Sequence, residues 1–289
     1  MTRIDELLAA GPTTSFEFFP PKTDDGEAQL RRTLNELEPL GPSFVSITYG
    51  AGGSTRDRTH NLVVDMLERT AMPPMAHLTT VSHTRTELVT ILQRYHEAGV
   101  ANIMALRGDP PRDDDDAFYA VEHAVDLVHL IREVGDGQFA VGVAAHPEGH
   151  PTAPDLATDR DHLAAKLEAA DFAVTQFFFD VADYARLVDD LAARGCTKPV
   201  VPGIMPVTNV RQIERFAAMS GAAFPPALAE RLHRVEDDPD EVRRIGIEVA
   251  TELCADLLEL GAPGLHFYTL NRSTASREIH ANLRSLSAA

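Results

Sequence analysis

Several apolar runs in this 289-residue chain contain, or end at, a residue that can do chemistry. Glu17 stands between aromatic residues in Phe16–Phe19, and burial among apolar groups disfavours the ionised form of a carboxyl group. An unpartnered buried carboxylate is costly, so Glu17 is either half of a structural ion pair or a group kept for a reaction. Because a carboxyl group that keeps its proton can donate it to a substrate, we interpret Glu17 as a candidate general acid.

Polar residues also stand near the ends of other apolar runs. His77 lies in one run, Arg107 and Asp109 follow another, and Gln176 interrupts a third. Taken singly, His77 suits a hydrogen-bonded core histidine, and Arg107 with Asp109 suits a surface ion pair that contributes little. A buried amide must find hydrogen-bond partners in the protein or in a ligand, and for Gln176 we favour a ligand. The repeated position near one end of each run favours a common site.

Tyr268 and Arg272 flank the end of the last apolar run. The guanidinium group of Arg272 can bind a carboxylate through two parallel hydrogen bonds, which would suit an anionic ligand. Donation to a neighbouring backbone carbonyl is an equally open alternative. These residues predict a site that combines an acid, an amide and a group that binds anions.

Residues that could bind a metal ion are present but poorly arranged. Pro147 and Gly149 separate His146 from His150, which favours a loop, and no third ligand is evident nearby. The two cysteines are far apart and form no metal-binding or disulfide pattern. We interpret the acidic run 113–116 as a solvated loop rather than a cation site. The sequence therefore predicts no metal site.

The composition excludes some classes of partner. Lysine and arginine number 26 against 44 aspartate and glutamate residues, a net charge of −18 that repels nucleic acids and anionic membranes. No apolar run approaches the roughly 20 residues that cross a bilayer, and the N-terminus lacks the pattern of a signal peptide. We therefore expect a cytoplasmic protein, with residues 1–289 forming a single catalytic domain.

Short apolar runs alternate with stretches of helical periodicity along the whole chain, which indicates repeated βα units and a parallel sheet. Eight strands are predicted, at Ser15–Phe19, Phe44–Tyr49, Met75–Val81, Asn102–Arg107, Phe139–Ala145, Phe172–Phe179, Pro199–Met205 and Leu265–Leu270. Eight units that begin with a strand and end with a helix near Ser276–Leu283 favour an α/β fold, a (β/α)8 TIM barrel. An open doubly wound sheet is the alternative. In a barrel, polar residues at the strand ends meet at one mouth.

Helix-start residues agree with this alternation. Asp24 precedes the first predicted helix, and Thr84 and Glu87 have the spacing of a capping box. Between the seventh helix and the eighth strand, two further stretches have helical patterns, Pro226–Val235 and Asp240–Leu260. We interpret them as extra helices that cover the barrel rather than as a second domain.

Six motifs, in order along the chain, carry a resemblance that covers almost all of it. They are residues 15–22 (SFEFFPPK), 44–50 (FVSITYG), 105–109 (ALRGD), 175–180 (TQFFFD), 202–207 (PGIMPV) and 266–272 (HFYTLNR). Together they resemble the methylenetetrahydrofolate reductase family. The resemblance implies a flavoprotein barrel with FAD as cofactor and NADH or NADPH as hydride donor. It implies reduction of 5,10-methylenetetrahydrofolate to 5-methyltetrahydrofolate, which supplies methyl groups for methionine synthesis.

The resemblance also implies roles for individual residues. Glu17 matches the family's general acid, and Asp109 matches the carboxylate near flavin and pterin. Folate contacts fall on Gln176, Phe216, Tyr268 and Arg272. FAD contacts fall on Thr48, His77, Leu106, Arg107, Gly108, Asp109, Ala145, His146, His150, Asp159 and Lys166.

The sequence departs from the family pattern at three positions on the side where the resemblance places the flavin. His146 stands where many relatives carry tyrosine, and His162 and Ala165 replace more usual amide and basic residues. Three other interpretations stay open: another flavin barrel related to proline dehydrogenase, a flavin-independent form of the same reduction, and a folate- or flavin-binding protein without turnover. The resemblance also leads us to expect a homo-oligomer, and no regulatory domain of the kind that senses S-adenosylmethionine.

Overall fold

The computed structural model describes residues 2–50, 56–110 and 118–287, so the acidic run 113–116 lies outside the described residues. Its strands are β1 (Thr13–Phe18), β2 (Phe44–Ile47), β3 (Pro74–Thr79), β4 (Asn102–Leu106), β5 (Ala140–Ala145), β6 (Phe172–Thr175), β7 (Val200–Val201), β8 (Gly203–Ile204) and β9 (Gly264–Tyr268). All the pairings between them are parallel. The order in the sheet is β7-β6-β5-β4-β3-β2-β1-β9-β8.

The sheet closes through the seventh predicted strand, which is broken in two. β7 pairs with β6, whereas β8 pairs with β9, and Pro202 alone separates these two short strands. Proline has no N–H to donate to a ladder, and the Pro202 carbonyl accepts from the backbone N–H of His266 at 3.0 Å. The predicted barrel is confirmed, but the prediction of one continuous strand at Pro199–Met205 is wrong. The sixth strand also ends earlier than predicted, before Gln176.

The described helices are α1 (Ile4–Ala10), α2 (Asp24–Leu37), α3 (Arg56–Arg69), α4 (Arg85–Glu97), α5 (Ala124–Gly135), α6 (Leu156–Ala169), α7 (Val181–Ala193), α8 (Val210–Ser220), α9 (Pro226–His233), α10 (Pro239–Glu259) and α11 (Thr274–Ser287), with a short 3-10 helix at Glu38–Leu40. The capping box of Thr84 and Glu87 is present. The first cap differs from the prediction, because Thr23 rather than Asp24 accepts from the backbone, from the N–H of Gly26. α9 and α10 lie where the two extra helices are predicted. None of the described helices is both long and apolar enough to cross a bilayer.

Alternation along each strand produces two cores. One set of side chains packs under the helices, and the other fills the barrel interior. α1, which the sequence analysis did not predict, closes the end of the barrel where the strands begin. Its Ile4 and Leu8 pack among the interior residues, and the Ile4 N–H donates to the side chain of Asn102 at 2.8 Å. Two apolar positions in a seven-residue segment are too weak a pattern to predict such a helix.

Candidate active site

Many of the predicted site residues lie at or just beyond the carboxyl ends of the strands, and parallel strands all end at the same mouth of a barrel. Phe216 lies on α8, and Asp159 and Lys166 lie on α6. Glu17 lies opposite Tyr268 of β9 on one side and Ser46 of β2 on the other. Residues just past the ends of β4, β5 and β6 complete the mouth, namely Arg107, His146 and Gln176. Residues from both ends of the chain therefore form one site.

Glu17 has a different setting from the one that its sequence neighbours suggest. Phe16 and Phe18 alternate with it along β1 and pack under the helices, so they lie on the opposite face of the strand. The Glu17 side chain points into the barrel and is 18% exposed. The aromatic flanks seen in the sequence are therefore not its surroundings. Polar groups inside the barrel surround the carboxylate instead.

Two histidines converge on one oxygen of this carboxylate. Nε2 of His77 lies 3.5 Å from Oε2 of Glu17, and Nε2 of His266 lies 3.6 Å from the same oxygen. Ser46 contacts His77 at 2.6 Å and Ser15 contacts His266 at 2.8 Å, so a hydroxyl group holds each ring. Burial lowers the pKa of His77, and Glu17 offsets part of that effect. The site thus presents a carboxyl group between two buried imidazoles.

Tyr268 forms the wall of the site next to Glu17. Its hydroxyl donates to the Thr175 carbonyl at 2.6 Å, and its pKa lies well above the usual value because of burial and the nearby Glu17 charge. A Cβ at Gly203 would lie 2.3 Å from the Thr175 carbonyl oxygen and 2.9 Å from the Tyr268 hydroxyl. Only glycine at position 203 therefore leaves space for this contact. Tyr268 is fixed as a neutral side chain.

The turn after β9 is tied to β1. Leu270 and Asn271 both have left-handed backbone conformations, with φ of 50° and 57°. The Asn271 side chain accepts from the Phe19 N–H at 3.0 Å and donates to the Phe19 carbonyl at 2.8 Å. Thr269 Oγ1 donates to the Glu17 carbonyl at 2.6 Å. These bonds hold the strained turn and leave Arg272 exposed beside the mouth.

Gln176 and Phe216 line other parts of the predicted folate side. The Gln176 side-chain oxygen accepts from the Phe177 N–H at 3.0 Å, which leaves the amide NH2 as the group to donate to a ligand. Phe216 lies on α8. It is partly buried against a cluster of apolar side chains that come mainly from α8, α9 and α10. The guanidinium carbon of Arg215 lies 5.5 Å from its ring centre. Phe216 thus has an apolar support and a partly open face.

The loop after β5 is held from below by a buried arginine. Arg160 donates to the carbonyls of His146, at 2.9 Å, and Pro147, and it pairs with Asp159 at 2.7 Å. Asp159 also accepts from the His150 N–H at 3.2 Å. Burial, together with nearby positive charge, lowers the pKa of His146 to about 3, so its ring is neutral. The oxygens of Asp159 already have protein partners, so we assign it to holding this loop.

Lys166 and Ala145, two further residues predicted to contact FAD, lie near this loop. Their side chains have different surroundings. Lys166 donates to the Ala144 carbonyl at 2.6 Å, and burial lowers its pKa to about 8. The Ala145 side chain is buried under the helices. Any contact of Ala145 with a cofactor would therefore come from its backbone. His162 and Ala165, which depart from the family pattern, are exposed on the same helix as Lys166.

The segment after β4 carries Arg107, Gly108 and Asp109. The Arg107 guanidinium stacks over the Tyr119 ring, 3.9 Å from its centre, and donates to the backbone at Glu122. Gly108 has a left-handed backbone with φ of 77°, and a Cβ there would lie 2.8 Å from the Thr79 side chain. Asp109 is exposed at the mouth. Leu106, at the end of β4, packs against the interior core.

The donor groups at this mouth fit a flavin dinucleotide. Lys166 supplies an ammonium group suited to a phosphate, and Thr48 supplies a part-exposed hydroxyl at the end of β2. The buried hydroxyl of Thr79 has no hydrogen-bond partner among the described residues, so it is available to a ligand. Within those residues, no cluster of three or more His, Cys, Asp or Glu side chains could hold a metal ion.

The sequence analysis missed several residues that hold the site. Three of them lie around Glu17: His266 is next to its carboxyl group, Ser15 contacts His266, and Ser46 contacts His77. Asn271 fixes the turn after β9. Arg160 holds the loop after β5. One signal was available: Ser15, Ser46 and His266 are polar residues inside otherwise apolar strands, where parallel barrel strands are expected to be apolar.

Solved structures with similar folds have distantly related sequences. A protein from Clostridium thermocellum, described as binding two copies of 5-methyl-5,6,7,8-tetrahydrofolic acid, has a TM-score of 0.65 at 14% identity and covers 99% of each chain. A 2,3-dimethylmalate lyase has a TM-score of 0.55 at 11% identity, covering all of this chain and 87% of its own. At such low identity, these likenesses show the fold alone.

Comparison of the sequence with protein families and with known proteins gives more specific matches than the fold does. The family described as methylenetetrahydrofolate reductase matches residues 3–284. The 5,10-methylenetetrahydrofolate reductases of Pectobacterium carotovorum and Escherichia coli are 41% and 40% identical, over 92% of this chain and 88% of theirs. A methylenetetrahydrofolate reductase (NADH) of Arabidopsis thaliana is 38% identical over 97% of this chain and 50% of its own. The chain therefore belongs to the methylenetetrahydrofolate reductase family of oxidoreductases.

Proposed function

We propose that this protein reduces 5,10-methylenetetrahydrofolate to 5-methyltetrahydrofolate, with NADH or NADPH as donor and FAD as bound cofactor. The observation that carries the proposal is the position of Glu17, a part-exposed carboxyl group at the barrel mouth between two buried histidines. Its product would supply methyl groups for methionine synthesis. A single catalytic domain over residues 1–289, a homo-oligomeric state and a cytoplasmic location stay predictions.

Glu17 supplies the proton that this reduction needs. Opening the five-membered ring of the substrate requires protonation of the nitrogen that leaves the methylene carbon, which makes that carbon ready to accept hydride. Glu17 is the acid that the barrel directs into the mouth, and Tyr268 beside it keeps its proton. FAD, when bound, supplies a two-electron carrier between nicotinamide and folate. Asp109, exposed across the mouth, would tune the charge near both ligands.

FAD and the folate would bind to different residues at the mouth. Lys166, Thr48, His150 and the backbone at Ala145 and Gly108 would hold the FAD dinucleotide. Gln176 would donate to the pterin, and Phe216 would stack on whichever substrate is bound. Arg272 would bind the glutamate carboxylate of the folate. Exposure of Arg272 beside the mouth, rather than within it, suits the tail of an extended ligand.

The test is turnover by the purified protein. We expect a yellow protein with the visible spectrum of bound FAD, bleached by NADH or NADPH under anaerobic conditions and restored by methylenetetrahydrofolate. Rates with the two donors decide which one is preferred. Reduction of folate by protein that neither contains nor binds FAD would support the flavin-independent form. Flavin reduction by proline, without reaction of folate, would contradict the proposal and favour the proline dehydrogenase interpretation.

FAD affinity is expected to fall as the pH rises above about 8. Burial lowers the pKa of Lys166 to about 8 in the free protein, so its positive charge is present below that pH and lost above it. A phosphate contact favours the charged form, so the dissociation constant should rise about tenfold per pH unit until the pKa of the complex is reached. Fluorescence titration of the apoprotein with FAD between pH 6.5 and pH 9.5 measures it.

Lys166→Met should bind FAD more weakly and without this pH dependence. Lys198→Met is the matched control, because Lys198 precedes β7 at the other end of the barrel and donates to the Glu168 carbonyl at 3.1 Å. A slope that persists in the Lys166 variant would assign the dependence to another group.

Arg272→Ala is expected to weaken folate binding by about 10- to 100-fold, since a hydrogen bond between charged groups contributes roughly 1.5–3 kcal/mol. Arg272→Lys keeps the charge but loses the paired donors, so it should recover only part of the affinity. The measurement is the dissociation constant for 5-methyltetrahydrofolate by equilibrium titration. Unchanged affinity in Arg272→Ala would return Arg272 to the alternative role of donating to a backbone carbonyl.

A further inference from the structure

Glu148 lies in the loop between β5 and α6, and the proposed function gives it no role so far. Its side chain is part-buried, and its Oε1 accepts from the backbone N–H of Ala223 at 2.7 Å. Ala223 lies just after the end of α8, the helix that carries Phe216. This hydrogen bond therefore joins the loop beside the proposed FAD site to the segment that follows the stacking helix.

The loop that carries Glu148 is itself held in place by the protein. A backbone turn bends it, since the Gly149 N–H donates to the His146 carbonyl at 3.1 Å. The buried Arg160 donates to the carbonyls of His146 and Pro147. A carboxylate on a loop with these bonds can serve as a fixed anchor for the group that it contacts.

A second contact joins the same two segments. Gly221, which ends α8, has a left-handed backbone with φ of 78°. A Cβ at position 221 would lie 2.6 Å from Cγ of Pro151, which follows Glu148 on the same loop. A larger residue there would force the loop and the end of α8 apart. Two neighbouring contacts thus hold the end of α8 against the loop.

The segment after α8 shares an apolar cluster with Phe216. Ala222, Phe224 and Phe216 all pack against buried side chains that come mainly from α8, α9 and α10. Phe224 also meets Phe179 edge-on, with 5.0 Å between the ring centres. Close-packed side chains transmit a displacement to their neighbours, so a shift of the segment after α8 would also move Phe216.

The charge of Glu148 depends on this contact. Burial raises the pKa of Glu148, and the Ala223 N–H does most to lower it. Arg186 also favours the charged form, whereas Asp183 and Asp180 disfavour it. A hydrogen bond that a carboxylate accepts is stronger than one between neutral groups, so this contact suits an anchor.

We propose that Glu148 is a positioning residue that holds the end of α8 to the loop after β5, so that Phe216 is set against whichever substrate is bound. The inference rests on the proposed function, in which Phe216 stacks on the nicotinamide and on the folate in turn. Glu148 acts through Phe216 in this role, rather than by contact with a substrate. Its loss should therefore weaken the binding of both substrates and spare the hydride transfers.

Glu148→Ala is expected to raise the dissociation constants for the nicotinamide and for the folate alike, by about 3- to 10-fold, the effect of losing one hydrogen bond. The limiting rates of both half-reactions at saturation should stay within about twofold of the wild-type rates. Glu148→Gln keeps a neutral acceptor oxygen, so it should recover part of the affinity. Stopped-flow traces over a range of substrate concentrations give both quantities.

A double-mutant cycle decides whether Glu148 acts through Phe216. Phe216→Ala removes the stacking ring, so Glu148→Ala added to it should weaken binding by less than about twofold further. Glu87→Ala is the control, because Glu87 also accepts a backbone N–H, that of Thr84 at 2.9 Å, but lies on the exposed surface of α4. It should leave both dissociation constants unchanged. Equal effects of Glu148→Ala with and without Phe216 would overturn the proposal.

Amide hydrogen exchange tests the contact without any reaction. In Glu148→Ala, the N–H of Ala223 and those of the last turn of α8 should exchange at least about tenfold faster, while the amides of the barrel strands keep their rates. Unchanged exchange at Ala223 and α8 would mean that Glu148 does not hold the helix, and the proposal would fail. If the wild-type protein does not reduce folate, the proposed function fails, while the exchange rates still decide whether Glu148 holds α8.

Discussion

Glu17→Gln is expected to slow reduction of methylenetetrahydrofolate by about 10²- to 10⁴-fold, the range that general acid catalysis contributes. Glutamine keeps the size of the side chain and most of its hydrogen bonding but has no acid to donate. The substrate nitrogen then leaves without a proton. Reduction of the enzyme by NADH or NADPH needs no such proton, so that half-reaction should change little. Stopped-flow measurement of each half-reaction separates the two effects.

A matched control removes the charge of a glutamate outside the mouth. Glu133 lies on α5, where it pairs with Arg85 at 2.7 Å on the exposed surface. Glu133→Gln should leave both half-reactions at the wild-type rate. Equal losses of both half-reactions in Glu17→Gln would mean that Glu17 only supports the structure. An unchanged folate step would mean that the proton comes from another group.

The barrel, and the end of it that carries the site, could be predicted from the sequence because hydrophobic periodicity is a property of each short segment. Apolar runs of five to eight residues separated by amphipathic helices predict βα units without knowledge of their neighbours. Polar residues at the run ends then predict the mouth, since the barrel has only one carboxyl end. Glu17, Gln176 and Tyr268 were found in this way.

Distant contacts could not be predicted by the same reasoning. Ser15 and His266 lie 251 positions apart, and nothing local in either segment shows that their side chains touch. The break at Pro202 was also missed, because an apolar run with one proline resembles an edge strand in sequence. The setting of Glu17 was misjudged for a related reason. Its neighbours in sequence point to the other face of the strand, whereas its neighbours in space come from β3 and β9.

Arg160→Met is expected to lower the free energy of unfolding by about 3–5 kcal/mol, the usual result of removing one partner from a buried ion pair. Arg160 is fully buried and donates to two backbone carbonyls and to two carboxylates, those of Asp159 and Asp190. Methionine fills much of the volume but leaves the carbonyls of His146 and Pro147 without their donor. The Asp159 carboxylate, 12% exposed, loses its cation as well.

Denaturant unfolding measures this loss as a lower midpoint at constant slope. Arg194→Met is the matched control, because Arg194 also joins α6 and α7 but pairs with Asp161, whose side chain is 69% exposed. An exposed pair contributes about 0–1 kcal/mol, so the control should stay within that range. A similar small loss in Arg160→Met would mean that water replaces the arginine and that the loop after β5 does not depend on it. A large loss would show that the loop bearing His146 and His150 is held by the protein itself, before any cofactor binds.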